Sequence, residues 1–399
     1  MSSFTFVENR NIVMKCHSKI TICLVDDTVD LAYLQQILPY LPPIHCHGSV
    51  PPVKSSFEQQ AVAHGTVCMG LLCEFLQRRH LLDVVELYSI SLLNADGEQT
   101  VDMLEQALGW CFSHSIDLIC LSAGFYRYLP ARHLIQSIRR YRRSILVAAQ
   151  SNEGTVTYPA SLSCVIGTRY ARELSPGLFR FMRRPMDGIE IATSLPESKV
   201  LQALGYQAFT ANSFTPPYVA AQLVDAWRKK QVTWNRRALR NFLARSSAPQ
   251  EILQHSFPRS ADLPPVVLFY YRRTDEKSVR RFVKKLQRLF LHNGYDCVVL
   301  DDALRTQNIE AHRFCFTQGS SQILLERIVF LTDPSIILVL TQGGALGELL
   351  PLGIGNVLVA SHKVLKVQAA APCDAVKVKE FDRSPVRFYH WLLCHFSEN

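Results

Sequence analysis

No segment of the 399-residue sequence reaches the roughly 20 uninterrupted apolar residues that a membrane span requires. Residues 1–19 lack an apolar core flanked by basic and small residues, so no secretory signal is read there. Charge is sparse, at 19% of residues against 48% apolar, which excludes a disordered chain and predicts well-packed cores. Metal-binding clusters are scarce as well. His45-Cys46-His47 is the one local group of that type, and it has no second ligand pair at a recognisable spacing, so no metal is expected. The 12 cysteines are dispersed and several (Cys23, Cys120, Cys164) fall inside apolar, strand-like runs. They read as buried thiols in a reducing compartment and not as a disulfide framework. The net charge of +9 falls in helix-like clusters, such as Arg139-Arg140-Tyr141-Arg142-Arg143, without a nucleic-acid motif. A solvated face is the default reading, and no nucleic-acid or membrane partner is expected.

What is present is an alternation of short apolar runs with amphipathic helical segments. Residues 20–26, 84–90, 118–121 and 145–149 read as buried strands. Residues 31–63 read as a helix followed by an irregular loop, and His64–Arg79, Thr100–Ser113 and Arg132–Tyr141 as helices. That order predicts an α/β fold, a parallel sheet with helices on both faces and its sites at the carboxyl ends of the strands. A polar, proline-punctuated stretch over 246–265 predicts a linker between a first domain (1–245) and a smaller one (266–399). The second repeats the pattern: strand Val266–Tyr271, basic helix Lys277–Leu291, strand Cys297–Leu300 ending in Asp301-Asp302, helix Ile323–Leu331, then strands 336–340 and 356–360.

Three stretches of the first domain carry chemistry. Ala211-Asn212-Ser213-Phe214-Thr215-Pro216-Pro217 places a serine just before a proline-started helix, where helix N–H groups stabilise negative charge. Read alone, Ser213 is an N-cap. Ile22-Cys23-Leu24-Val25-Asp26 puts a carboxylate at a strand end, and His64-Gly65-Thr66 puts an imidazole at a helix start, where the dipole favours the neutral base. Aspartate, histidine and serine are the set that nucleophilic serine hydrolysis needs.

These residues, in that order, resemble the subtilisin-like serine proteases. The family's aspartate, histidine and serine motifs match at Asp26, His64-Gly65-Thr66 and Ser213. Asp117–Gly124 resembles the strand whose backbone pairs with substrate, and Val147–Gly154 the block carrying the oxyanion asparagine, with Tyr158-Pro159-Ala160-Ser161 following. The resemblance covers residues 20–230. It implies a catalytic triad of Asp26, His64 and Ser213 with Asn152 as oxyanion donor. It also implies a substrate-binding edge of Ser122, Ala123 and Gly124 with Ser151, and no cofactor. The implied activity is endopeptidase cleavage of a dedicated peptide or protein substrate, such as a precursor peptide trimmed during maturation. With the first strand beginning at residue 20, no folding prosegment is expected, which implies a cytoplasmic enzyme.

The flanks depart from the family pattern at Asp27-Thr28, Ala211-Asn212, Val67 and Tyr218. These departures motivate an alternative, a non-catalytic binding module that keeps the cleft. Residues 266–399 are faintly similar to Toll/interleukin-receptor-like and nucleoside-transferase-like domains. There, Gln342-Gly343-Gly344-Ala345-Leu346-Gly347-Glu348 offers a second alternative, a nucleotide-processing effector with Glu348 as its carboxylate. Recognition or regulation is the role expected of this domain.

Overall fold

The structure is a computed structural model. It describes residues 19–48, 62–93, 98–141, 143–183, 185–204, 211–248, 263–271, 273–305, 307–315, 321–342, 357–361, 365–369, 378–381 and 384–397. The chain forms two sheets flanked by helices.

At the centre of the first sheet is β1 (Ile20–Asp26), whose residues are almost all buried. It lies between β3 (Val85–Ser91) and β4 (Leu118–Leu121), parallel to both. Strands β2 (Ile44–His47), β5 (Ile145–Ala149), β6 (Ile166–Tyr170), β7 (Phe179–Phe181) and β8 (Ile191–Thr193) complete the order β2-β3-β1-β4-β5-β6-β8-β7. All pairings are parallel except β7 with β8. The continuous apolar runs are explained by two-faced burial. Ile20, Ile22 and Leu24 of β1 enter one core cluster and Cys23 and Val25 the other.

On the first face lie α1 (Leu31–Ile37), α2 (His64–Gln77) and α6 (Thr215–Arg228), with the short α5 (Lys199–Ala203) and α7 (Arg236–Arg245). Helices α2 and α6 pack together and are buried along most of their lengths, with Phe75 and Tyr218 edge-on at 5.1 Å. On the other face lie α3 (Val101–Ser113) and α4 (Tyr128–Arg140). Thr100 caps α3 by accepting from the Met103 N–H.

The second sheet contains β9 (Val266–Tyr270), β10 (Cys297–Asp301), β11 (Arg313–Cys315), β12 (Ile336–Thr341), β13 (Val357–Ser361), β14 (Leu365–Ala369) and β15 (Val378–Phe381). Its order is β11-β10-β12-β9-β13-β14-β15. The first five run parallel, while the pairings of β13 with β14 and of β14 with β15 are antiparallel, so the sheet is mixed. Helices α8 (Glu276–His292), α9 (Ser321–Thr332) and α10 (Pro385–Ser397) accompany it.

Its core is continuous with the α3/α4 face of the first sheet. Tyr128 stacks on His312 with ring centroids 4.4 Å apart and donates to the Glu310 carbonyl, while the Val156 N–H donates to the Leu331 carbonyl. Of the expected linker, residues 249–262 lie outside the described residues. Before them, the Ser247 hydroxyl accepts from the Phe181 N–H, so residues 246–248 run beside β7. The glycine-rich stretch 343–348, with Glu348, also lies outside the described residues.

The register places the site. Asp26 is level with Ser91 of β3, and Val25 with Leu121 of β4, which is in turn level with Ala148 of β5. Asp26, Ser122 and Asn152 therefore emerge at one edge of the sheet, the carboxyl ends of its central strands.

Candidate active site

Asp26 is the last residue of β1 and only 2% exposed. Its Oδ1 lies 2.8 Å from His64 Nδ1, and His64 Nε2 lies 2.8 Å from Ser213 Oγ. An ionised carboxylate only accepts, so Nδ1 carries the proton toward Asp26 and Nε2 is left to accept from the serine hydroxyl. The three residues named from sequence are thus joined in one hydrogen-bonded line. The imidazole remains partly open to solvent, with 39% of its side chain exposed, and Phe214 stacks beside it.

His64 opens α2, whose N-cap position is Ala63 and supplies no side-chain cap. Asp27 supplies the cap from another segment: its carboxylate accepts from the His64 N–H at 2.9 Å and from the Gly65 N–H. Gly65 is required by that approach, since a Cβ there would meet Asp27 Oδ1 at 2.8 Å and two carbonyls at 2.9 Å. Burial pushes the Asp27 carboxyl above its ordinary value, and the charge of Asp26 adds to this against the opposing N–H bonds. For His64, burial favours the neutral ring. The hydrogen bond to Asp26 and the charges of Asp26 and Asp27 outweigh it, and the pKa is raised. The helix dipole was expected to hold this imidazole neutral; two carboxylates within reach reverse the balance.

Ser213 lies in a single 3-10 turn, Asn212–Phe214, that leads directly into α6 with its early prolines. Its carbonyl accepts from Ser122 Oγ at 3.0 Å and from Cys68 Sγ at 3.6 Å. The neighbouring Asn212 is fixed at three points. Its Oδ1 accepts from the Tyr170 N–H, its Nδ2 donates to the Ser151 carbonyl, and its N–H donates to Asn152 Oδ1 at 3.0 Å. With Oδ1 so occupied, the Asn152 amide Nδ2 finds no acceptor among the described residues, and the residue is exposed. Thr215 Oγ1 donates to the Asn212 carbonyl and is within 2.7 Å of Thr168 Oγ1 on β6.

The substrate-binding residues read from sequence sit at the same edge, but two of them are engaged within it. Ser122 Oγ is committed to the Ser213 carbonyl, and Ser151 Oγ bonds Thr155 Oγ1 at 2.9 Å. Ala123 is half-buried and Gly124 exposed. A Cβ at Gly124 would meet Thr157 Cγ2 at 2.6 Å, so the edge passes tightly over the 151–157 turn. Phe125 then bridges Tyr158 through two backbone hydrogen bonds.

Sequence reasoning missed Cys68, one turn along α2 from His64, buried under the imidazole at 3.8 Å from Nδ1 and 3.9 Å from Nε2. Asp26, His64 and Cys68 each offer a ligand atom within 4.8 Å of the others, which a metal ion could use. Burial, then the charge of Asp26, holds the Cys68 thiol well above its ordinary pKa, which disfavours the thiolate a metal would need. The spacing of His64 and Cys68, four apart at a helix start, was the available signal.

Among curated proteins, the chain is 26% identical over 207 residues to subtilisin BL and to subtilisin Savinase, both of Lederbergia lenta. The match spans 46% of this chain and 70% of each of those proteins. The chain is similar to subtilisin-like proteases. The alkaline protease of Alkalihalobacillus alcalophilus matches at the same identity, across half its length. No family model matches. Among solved structures, the prenylagaramide maturation protease PagA aligns at a TM-score of 0.38 and 17% identity, covering 59% of this chain and 85% of that one. A mutant of the protease domain of PatA aligns at 0.40 and 16%, covering 59% and 91%. At such TM-scores these two likenesses carry no argument.

Proposed function

We propose that this protein is a serine endopeptidase that cleaves a dedicated peptide or protein substrate through an acyl-enzyme. The observation that carries the reading is the line from Asp26 through His64 to Ser213, with both contacts at 2.8 Å. In this reading His64 Nε2 takes the Ser213 proton as Oγ attacks the scissile carbonyl, and Asp26 balances the imidazolium that forms. The proton then passes to the leaving amine, and water reverses the sequence to release the acyl group. Asn152 Nδ2 donates to the oxyanion, since its Oδ1 is anchored on Asn212 and the amide has no competing partner among the described residues.

The departures from the family pattern support this reading over a non-catalytic module. Asp27 caps the helix that presents the base, and Asn212 clamps the turn that presents the nucleophile to the turn that presents Asn152. Substrate is proposed to add as a strand at Ser122–Gly124 through backbone groups, because the Ser122 side chain is already engaged. None of the ten described cysteines is in a disulfide and most are buried, which supports a reducing, cytoplasmic setting. No helix among the described residues is long and apolar enough to cross a membrane. Trimming of a precursor peptide is the form of activity we favour.

The test is digestion of an unfolded protein such as reduced casein. The wild type is expected to fragment it and Ser213→Ala to leave it intact. Equal fragmentation by both would remove Ser213 from the mechanism.

A further inference from the structure

An open groove of about 630 Å³ lies among three helices, lined by Arg132 of α4, Lys285, Arg288, Leu289 and His292 of α8, and the first turn of α10. Lys285, Arg288 and His292 of α8 are spaced by three and four residues and so share one helix face. The opposite, apolar face of that helix (Val279, Phe282, Val283, Leu286, Phe290) is buried against the second sheet. None of Arg132, Lys285, Arg288 and His292 is paired with a carboxylate among the described residues. Arg280, on the same helix, is held by both Glu276 and Asp301.

Like charges gathered without a counter-ion repel one another, and a concave wall concentrates their field outward. Their lining neighbours are apolar: Leu289, Pro385 and Val386, the last 50% exposed. A volume of this size suits a few peptide residues better than a lone inorganic anion. No Phe, Tyr or Trp lines it among the described residues, so it lacks the large stacking platform that single-stranded nucleic acid uses. The geometry points to a docking groove for an acidic peptide segment, with carboxylates on the Arg and Lys side chains and an apolar residue on Val386.

The groove is close to the proposed cleft. Eight residues separate Gly124 from Arg132, a reach of at most about 28 Å even if fully extended. A strand of substrate covers that distance in about nine residues. The segment is accordingly part of the substrate itself, within about ten residues of the cleaved bond. This last assignment rests on the protease reading; the groove's preference for acidic peptide does not.

The test uses the full chain carrying Ser213→Ala, so that binding is read without hydrolysis. The probes are fluorescein-labelled peptides of alternating Glu and Leu, and of alternating Gln and Leu, followed by anisotropy. The Glu peptide is expected to bind at least tenfold more tightly than the Gln peptide and to weaken as salt is raised. Adding Arg132→Gln, Lys285→Gln and Arg288→Gln is expected to remove at least tenfold of that affinity with no loss of melting temperature. Equal binding of the two peptides, or of the parent and the substituted chain, would overturn the assignment. So would competition by oligothymidylate as effective as by unlabelled Glu peptide, which would mark a surface for any polyanion. Failed casein digestion with intact Glu-peptide binding would sink the protease reading alone, and the converse would sink only the groove.

Discussion

Two strands of this protein end in the same pair of residues, and only one of the pairs is linked through an imidazole to a serine hydroxyl. β1 ends in Asp26-Asp27 and β10 in Asp301-Asp302. In both, the first aspartate is buried, at 2% and 0% exposure, and the second accepts a backbone N–H from a neighbouring segment. The difference lies in the partner of the buried carboxylate. Asp301 meets the Arg280 guanidinium, which grips both its oxygens. A guanidinium does not give up its proton, so that pair is static. Asp26 meets an imidazole, which can hold or release a proton, and beyond it a hydroxyl. A buried strand-end carboxylate is thus structural or mechanistic according to what the topology brings to it.

Replacing residues on the two sides should separate these roles. The largest effect is expected on the Asp26 side: Ser213→Ala or His64→Ala should lower kcat by roughly 10⁴- to 10⁶-fold, measured on any peptide the wild type cleaves. Next, Asn152→Ala should lower kcat by about 10²- to 10³-fold with KM little changed, as expected for a donor used only in the transition state. On the Asp301 side, Asp301→Asn should cost about 1–3 kcal/mol of stability by urea denaturation, since it removes the buried one of the two carboxylates that hold the partly exposed Arg280 guanidinium. Its kcat at temperatures where it remains folded should match the wild type. A large fall in kcat without a fall in stability would erase the contrast between the strands.

A subtler change separates the second aspartates. His64 must be neutral to act as base, so activity rises as pH climbs through its raised pKa and is lost below it. Asp27 is one of the charges that raise that pKa, so Asp27→Asn should move the acidic limb of the kcat/KM profile to lower pH. Asp302→Asn should leave the limb in place.

Much of the site was legible because each of its members sits in a short local pattern: a strand end, a helix start, a serine ahead of two prolines. The parallel register then does the joining, and parallel register follows from runs that are apolar on both faces. What sequence reasoning could not read were roles set by distant partners. Asp27 and Asn212 looked like departures because the N–H that each serves lies 37 and 42 residues away. β2 was taken for loop, since Ile44-His45-Cys46-His47 is a largely exposed edge strand of only four residues, too short for a period to be read. α4 starts at Tyr128 and not at Arg132 because Pro130 falls within its first turn, where proline is tolerated. β14 and β15 turn the second sheet's edge antiparallel through segments of only five and four residues, too short for the alternation of Leu365, Val367 and Ala369 to stand out.

The central claim is that Ser213 is a nucleophile because His64 takes its proton. Intact-mass spectrometry after brief exposure to a chromogenic acyl ester tests it most directly. The wild type is predicted to gain one acyl group, mapped to Ser213, and His64→Ala to gain none in the same time. An acyl group on another residue, or equal acylation of Ser213 without His64, would contradict the account.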